Sequence, residues 1–194
     1  MYLIVKLYKR EIVNVREVGL VEDKKLMRQI QQGNSHALDI LIRKYYNDIY
    51  SYCFRRTTNA TVAADLTQEV FLKLAKYIHN YVHKGKFRNY LFIIARNICN
   101  DYYTKRGTVV EDIDLLDIPD RDSNFSRLEQ SEIILKALDS LPDIQKDVII
   151  LRFYHDMKVK EISEITGASI ATTKSRLKQG LDKLKKILRK GDVF

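Results

Sequence analysis

The sequence is poor in the residues that mark several protein classes. Its 194 residues include only two prolines, seven glycines and two cysteines. So few prolines and glycines argue against collagen and low-complexity chains, and we find no fixed-period repeat that would indicate a repeat protein. The chain has no C-x-x-C pair and no histidine spacing suited to zinc. We therefore expect Cys53 and Cys99 to be buried, reduced thiols.

Long apolar runs are also lacking. No uninterrupted apolar stretch approaches the roughly 18 residues that a membrane span needs, and the apolar run before Lys6 is too short for a signal peptide. Otherwise the composition is that of an ordinary globular protein, with 45% hydrophobic and 30% charged residues. We expect a soluble, cytoplasmic, helical protein with no membrane insertion, no metal and no cofactor.

Positive charge is in excess, and it is unevenly placed. The formal net charge is +9, which favours an anionic partner. Residues 1–106 carry 19 Lys/Arg against 9 Asp/Glu, residues 107–127 carry 2 against 6, and residues 128–194 carry 13 against 10. This alternation indicates two basic bodies joined by an acidic linker.

Apolar residues recur at helical spacing over most of the chain. A stripe over residues 38–52 predicts one helix, with a cap at Asn34 or Ser35. A second helical stripe ends near residue 81, and a third helix is expected over about residues 88–106. The pattern predicts an all-α fold.

The last third of the chain has the pattern of a helix-turn-helix. A short helix ends at Gly167, where we expect a left-handed backbone, and a long helix capped by Ser169 follows. Residues 171–190 contain eight Lys/Arg and one acid, Asp182. Hydroxyl, amide and cationic side chains near the start of such a helix suit phosphate binding and base reading. Gly180 interrupts this helix at a cost of about 1 kcal/mol relative to alanine.

One predicted helix carries an acidic face, which is unexpected in a DNA-binding surface. In the segment "DLTQEVFLKL" (65–74), Asp65, Gln68 and Glu69 fall opposite the apolar stripe, with Leu72 among them. An apolar residue within an acidic face favours a protein partner over DNA phosphate. The sequence therefore predicts a protein-binding surface in addition to the DNA-binding ones.

Together these motifs resemble the extracytoplasmic-function (ECF, group IV) sigma factors of bacterial RNA polymerase. Residues 138–188 look like sigma region 4, whereas "DLTQEVFLKL" and "FRNYLFIIARNICNDYYTKR" (87–106) look like region 2. The resemblance implies two small helical domains, a region 2 bundle and a region 4 built around the helix-turn-helix. It implies the division 1–25 (an extension of unknown role), 26–106 (region 2), 107–127 (acidic linker) and 128–194 (region 4), with Met27 a second candidate for the start of the family-like part.

The resemblance also implies a function. The chain would be a non-catalytic subunit that binds core RNA polymerase at its β′ coiled coil and β flap, recognises the −10 and −35 promoter elements and directs transcription initiation. Promoter DNA and an anti-sigma factor would be its other partners, and the acidic linker would lie in the polymerase's nucleic-acid channel. On the residues alone, a stand-alone helix-turn-helix regulator and a recombinase with a helix-turn-helix tail stay open as alternatives. We see no carboxylate cluster at metal spacing for the latter.

Matching positions define three sets of candidate residues. The core-polymerase set is Asp65, Gln68, Glu69, Phe71 and Leu72. The −10 set combines cations with aromatic residues, which suits single-stranded DNA; it consists of Lys84, Lys86, Arg88, Tyr90, Arg96, Asn97, Tyr102, Tyr103, Lys105 and Arg106. The −35 set is Ser169, Thr172, Lys174, Ser175, Arg176, Lys178 and Gln179. Phe92, which lies between members of the −10 set, is expected in the core.

Overall fold

A computed structural model describes residues 23–82, 85–106 and 133–190. These residues form α-helices and contain no strand, which confirms the predicted all-α class. The elements are α1 (Asp23–Gln31), α2 (Ser35–Thr57), α3 (Ala60–Tyr77), a 3-10 turn (Ile78–Asn80), α4 (Phe87–Arg106), α5 (133–139), α6 (Asp143–Phe153), α7 (Val159–Thr166) and α8 (Ile170–Lys190). The acidic linker at 107–127 and residues 1–22 of the N-terminal extension lie outside the described residues.

Helix α2 is the centre of an N-terminal body formed by α1 to α4, and it packs against the other three helices. It begins where the side chain of Asn34 accepts a hydrogen bond from Ala37 N (3.3 Å), which confirms the cap expected at Asn34 or Ser35. Phe92 of α4 is fully buried in this body, as expected. Cys53 and Cys99 are free and buried, with Sγ atoms 3.9 Å apart, which confirms the prediction for both thiols.

A C-terminal body is formed by α5 to α8. Leu177, Leu181 and Leu184 form a leucine stripe on α8, which packs on the buried side chains of Leu138, Leu141 and Ile149. Helix α7 ends at Gly167 with φ 65°, and Ser169 Oγ accepts from Thr172 N at 3.1 Å. Both predicted boundaries of the helix-turn-helix are therefore confirmed.

Gly180 lies where α8 packs closely against α6. A Cβ at this position would lie 3.1 Å from Ile149 Cγ1 and 3.5 Å from Gln145 Cβ. Because the first distance is shorter than ordinary van der Waals contact, a larger residue would press the two helices apart. The helix propensity lost at Gly180 is therefore offset by a closer helix–helix contact.

The two bodies pack directly against each other, although the sequence predicts them only as units joined by a linker. Helix α6 contacts α2, and α7 contacts α4. Apolar side chains of the C-terminal body, including Val148, Ile150 and Ile162, belong to the same buried cluster as the core of the N-terminal body. Within the described ranges, no helix combines the length and apolarity needed to cross a membrane.

Candidate functional site

The outer face of α3 carries the predicted polymerase-binding residues. This helix begins where Asn59 Oδ1 accepts from Val62 N at 3.0 Å, and its apolar stripe is buried against its neighbours. Asp65, Gln68 and Glu69 are exposed on the opposite side. Leu72 lies with them and is 50% exposed. The structure therefore brings four of the five predicted residues onto one solvent-facing surface, which we call the acidic face.

Phe71 does not belong to the acidic face, and this corrects its assignment as a polymerase contact. The side chain is 6% exposed, and its ring stacks on Tyr46 with centroids 6.0 Å apart. Successive residues of a helix are about 100° apart, so Phe71 and Leu72 lie on different sides of α3. The contact with Tyr46 shows that the Phe71 ring faces α2. Phe71 supports α3 from within the core.

A groove of about 490 Å³ lies beside the acidic face, between α3 and α4. Glu69 lines it from α3, and Asp101, Tyr102 and Lys105 line it from α4. The groove therefore places one residue of the polymerase set next to two residues of the −10 set.

Helix α4 carries eight of the ten −10 residues, whereas Lys84 and Lys86 precede it, and the structure distributes the described ones over two faces. Asn97 and Lys105 are exposed to solvent. Lys86, Arg88 and Arg96 are instead directed at the C-terminal body and form polar contacts with it. The predicted set is therefore not one continuous open surface. Lys84 and the side chain of Arg106 lie outside the described part of the structure.

The tyrosines of the −10 set are packed within the N-terminal body. Tyr90 stacks on Tyr81 with ring centroids 4.6 Å apart, and partial burial raises the pKa of its hydroxyl. Tyr103 donates from its hydroxyl to the backbone carbonyl of Arg56 at 2.6 Å. Tyr102 meets Tyr103 edge-on at 5.4 Å. These contacts hold the three tyrosine side chains in place on α4, and Tyr90 and Tyr102 remain partly exposed.

A buried carboxylate of α6 is bound by side chains of α2 and α4. Asp147 accepts from Tyr52 Oη and from Arg96 Nε, both at 2.8 Å, and Arg56 Nε lies 3.2 Å from its Oδ1. Burial, together with Asp147, raises the pKa of Tyr52, so the phenol stays protonated and donates. Burial alone would lower the pKa of Arg56, but Asp147 opposes burial and the net shift is upward. Arg56 therefore remains charged beside the carboxylate.

Arg56 also donates to two further residues in this network, Asp143 and Asn100. Its Nη1 donates to Asp143 Oδ1 at 3.0 Å and its Nη2 to Asn100 Oδ1 at 3.1 Å. The guanidinium is fully buried, and a buried guanidinium needs such compensation because desolvation of an unpaired charge is costly.

A second polar contact joins α7 to the start of α4. Glu164 forms an ion pair with Lys86 and accepts from Asn89 Nδ2 at 3.1 Å. The hydrogen bond from Lys86 is the main reason that the pKa of Glu164 is lowered. Arg88 donates to the backbone carbonyl of His155 at 3.0 Å and also pairs with Asp48.

Sequence reasoning missed the residues that carry these contacts: Arg56, Asn89, Asn100, Asp143, Asp147 and Glu164. One signal for them exists in the stretch 148–151, "VIIL", where four consecutive apolar residues are buried. A helix that is apolar all round must be covered on more than one side, which indicates that α6 lies between two layers. No pattern near residues 148–151 indicates which helices cover this stretch.

The start of α8 presents the −35 set. All of its members are exposed except Arg176, which is partly buried; the exposed ones are Ser169, Thr172, Lys174, Ser175, Lys178 and Gln179. Gln179 is held in place because its Oε1 accepts from Gln145 and its Nε2 donates to Ser175. The structure therefore displays hydroxyls, an amide and cations on the first half of a helix, which is the arrangement that major-groove reading requires.

The site holds no metal-ligand set within the ranges that the structure describes, since no three His, Cys, Asp or Glu side chains are placed to hold an ion. The chemistry available on the described surfaces is that of binding: an acidic face with one exposed leucine, a cationic and aromatic helix, and a basic helix-turn-helix.

Family models match both bodies. The Sigma-70 region 2 model matches residues 41–108 and the Sigma-70 region 4 model matches residues 131–184. The chain is 30% identical to the ECF RNA polymerase sigma factor SigM of Bacillus subtilis over 159 residues, which cover 80% of this chain and 97% of the relative. It is 29% identical to the ECF RNA polymerase sigma factor SigW of the same organism over 181 residues, covering 86% and 96% of the two chains.

Solved structures share the fold. CnrH, determined in complex with the cytosolic domain of CnrY, matches with a TM-score of 0.69 at 21% identity, over 86% of this chain and 97% of that one. The sigma factor RpoE of Bartonella quintana, determined with the anti-sigma factor NepR, matches with a TM-score of 0.64 at 23% identity, over 76% and 94%. With both sigma regions matched in order and near-complete coverage of its curated relatives, the chain belongs to the ECF family of RNA polymerase sigma factors, which act in transcription initiation.

Proposed function

We propose that this sigma factor binds core RNA polymerase through the acidic face of α3, the −10 element through α4 and the −35 element through α8. It supplies promoter specificity and carries out no catalysis of its own. The observation that carries the proposal is Leu72, which is 50% exposed on the same face of α3 as Asp65, Gln68 and Glu69. An apolar anchor within a charged rim is the usual composition of a protein-binding surface.

Charge separates the partners of the three surfaces. The acidic face repels DNA phosphates, so it favours a cationic surface of a protein such as the β′ coiled coil. The exposed cations of α8 attract phosphates and position the helix, and its amide and hydroxyl groups contact base edges. On α4, tyrosines beside cations provide stacking and phosphate contacts for an unpaired strand.

The proposal extends to organisation and partners. Region 2 would occupy 26–106 and region 4 would occupy 128–194, with the β flap as a second polymerase contact. We expect the protein to bind RNA polymerase in the cytoplasm. Because RpoE of Bartonella quintana was determined with the anti-sigma factor NepR, an anti-sigma factor is also proposed as a partner for this chain.

Charge reversal on α3 tests the polymerase-binding face. The double variant Asp65→Lys/Glu69→Lys should lose at least tenfold in affinity for core RNA polymerase, because two like-charge contacts replace two favourable ones. Far-UV circular dichroism and thermal unfolding should be unchanged, since both side chains are exposed. Asp182→Lys, which reverses one exposed acid on α8, is the control for charge reversal elsewhere on the surface and should bind core polymerase as the wild type does.

Two outcomes would contradict the assignment. If the double variant binds core polymerase normally while folded, the acidic face is not the binding surface. If it loses helicity, the two carboxylates have a structural role that their exposure does not explain.

A further inference from the structure

A side-chain hydrogen bond joins α6 to α8, the helix that carries the −35 set. Gln145 Nε2 donates to Gln179 Oε1 at 3.1 Å, and Gln179 Nε2 donates in turn to Ser175 Oγ at 3.2 Å. Gln179 and Ser175 are exposed on the first half of α8, whereas Gln145 lies beneath it and is 6% exposed. A buried residue outside the −35 set is therefore linked to two exposed residues within it.

The close packing of α8 on α6 at Gly180 makes this contact possible. A Cβ at position 180 would lie 3.5 Å from Gln145 Cβ and 3.1 Å from Ile149 Cγ1. Because a larger residue would press the helices apart, glycine keeps the neighbouring Gln179 within reach of Gln145. The position of the Gln179 side chain is therefore set by the helix beneath it as well as by α8 itself.

Gln145 is an unfavourable choice for packing alone. Its Oε1 atom is buried, and no donor within the described part of the chain reaches it. A buried acceptor without a partner costs stability, whereas an apolar side chain of similar size would avoid that cost. The hydrogen bond to Gln179 is what the Gln145 side chain provides in return.

A glutamine whose amide is held in one orientation presents one kind of group to DNA. A free glutamine pairs with adenine through both ends of its amide, since adenine N7 accepts and its N6 amino group donates. The Gln179 oxygen is directed at Gln145, and one N–H of its amide is bound to Ser175. The group left for a base edge is the second N–H, which donates.

The major-groove edges of the bases respond differently to such a donor. Guanine presents two acceptors, O6 and N7, and thymine presents O4, whereas cytosine presents the N4 amino donor. We propose that Gln145 is a positioning residue for promoter reading: it holds the Gln179 oxygen, so that Gln179 donates to a base edge and favours guanine or thymine over cytosine at one position of the −35 element. This inference rests on the proposed function, since it takes α8 as the −35 helix.

Two substitutions at Gln145 change the orientation of the Gln179 amide in different ways. In Gln145→Glu the ionised side chain only accepts, so the Gln179 NH2 group must turn toward it and the oxygen must turn outward. Glutamate also suits this position, which is the third residue of α6 and lies close to the helix N-terminus. Gln145→Met keeps the approximate size of the side chain and removes the hydrogen bond, which frees the amide.

Lys146→Met is the matched control. Lys146 follows Gln145 on α6 and is buried to a similar extent, at 3% exposed. Its Nζ donates to Asp139 Oδ1 of α5 at 2.7 Å. This variant therefore also replaces a buried polar side chain of α6 by methionine, but it leaves the contact between Gln145 and Gln179 in place.

The test measures base preference in the holoenzyme. The full chain and each variant are combined with core RNA polymerase and mixed with a library of randomised duplex DNA at about pH 8, where carboxylates are ionised, and the bound DNA is sequenced. Gln179→Ala identifies the base pair that Gln179 contacts, as the position whose preference it removes. A base preference is a ratio between sequences bound by one protein, so a general loss of stability or of polymerase affinity does not change it.

At that position the wild type should enrich guanine or thymine over cytosine by about fivefold, the lower end of the range for a base contact by one side chain. Gln145→Glu should reverse this preference toward cytosine or adenine, whose amino groups donate to the outward oxygen. Gln145→Met should favour adenine, since the freed amide pairs with it through both ends. Lys146→Met should keep the wild-type preference.

The outcomes separate this inference from the proposed function. A folded Gln145→Glu variant with the wild-type preference overturns the positioning role, and if that variant does not fold by circular dichroism, an unchanged preference in Gln145→Met overturns it equally. If Gln179→Ala leaves every preference intact, the inference also fails, and the failure then lies in the assignment of Gln179 to −35 reading.

Discussion

His155 lies between α6 and α7 and is buried against the N-terminal body. It is 3% exposed, its ring meets Phe92 edge-on at 4.7 Å, and its Nε2 has no hydrogen-bond partner. Burial lowers its pKa from 6.5 to about 4. The charged groups that modify this effect are Asp48 and Asp156, which raise the pKa, and Arg88 and Arg55, which lower it.

The lowered pKa makes folding sensitive to mild acid, and the sign follows from proton uptake. Above pH 6.5 the imidazole is neutral in both the folded and the unfolded chain, so it carries no penalty. As pH falls below 6.5 the unfolded chain binds the proton first, so stability is lost progressively until about pH 4. At pH 5 the difference between the two protonation equilibria amounts to about 2 kcal/mol.

Urea unfolding at pH 7.5 and pH 5.0 measures this loss, with His155→Leu as the reference that cannot titrate. The wild type should lose about 2 kcal/mol more than His155→Leu between the two pH values, because contributions from the other carboxylates and histidines are common to both. His79→Gln, which alters an exposed histidine, should keep the full wild-type loss. Equal losses in the wild type and His155→Leu would refute the reasoning.

Three further substitutions test separate features of the fold and surface. Gly167→Ala should cost about 1 kcal/mol in urea unfolding, because an alanine at φ 65° is strained even with open space around its Cβ; an unchanged midpoint would contradict this. Asn59→Ala should also cost about 1 kcal/mol by removing the α3 cap, whereas Asn80→Ala, in the exposed part of the 3-10 turn, should not; equal thermal shifts would count against the cap. Leu72→Ser should leave stability within about 0.5 kcal/mol of the wild type yet weaken core-polymerase binding at least fivefold in a direct titration, and undiminished binding would exclude Leu72 as an anchor.

Local chemistry explains what was predictable from the sequence. The cap at Asn34, the left-handed Gly167 and the leucine stripe of α8 each depend on residues within a few positions of one another. Helical periodicity and capping act over that range. The exposure of Asp65, Gln68 and Glu69 was predictable for the same reason, since an amphipathic helix must place its polar face outward.

Two features of the structure could not be predicted from residues close together in the sequence. Phe71 sits at the edge of the apolar stripe, where a helical projection does not decide between core and surface; only the position of Tyr46 on α2 settles it. The contact between the bodies depends on pairs such as Tyr52 and Asp147, which are 95 residues apart. An aspartate at the start of an apolar run is compatible with many partners, so no local pattern identifies the two arginines that compensate Asp147.

The charge of the C-terminal body is divided between two faces, and salt affects the two faces differently. Asp147 and Glu164 face the N-terminal body, whereas Lys174 and Lys178 are exposed on α8. Salt screens exposed charges far more than buried ones, so added salt should weaken the proposed attraction between α8 and DNA, together with the half-exposed Lys86–Glu164 pair. The Asp147 contacts, with 2% of that side chain exposed, are not screened in the same way. Under the proposed function, the acidic face of α3, which stays exposed while the two bodies are packed together, is the surface through which we expect polymerase binding to begin.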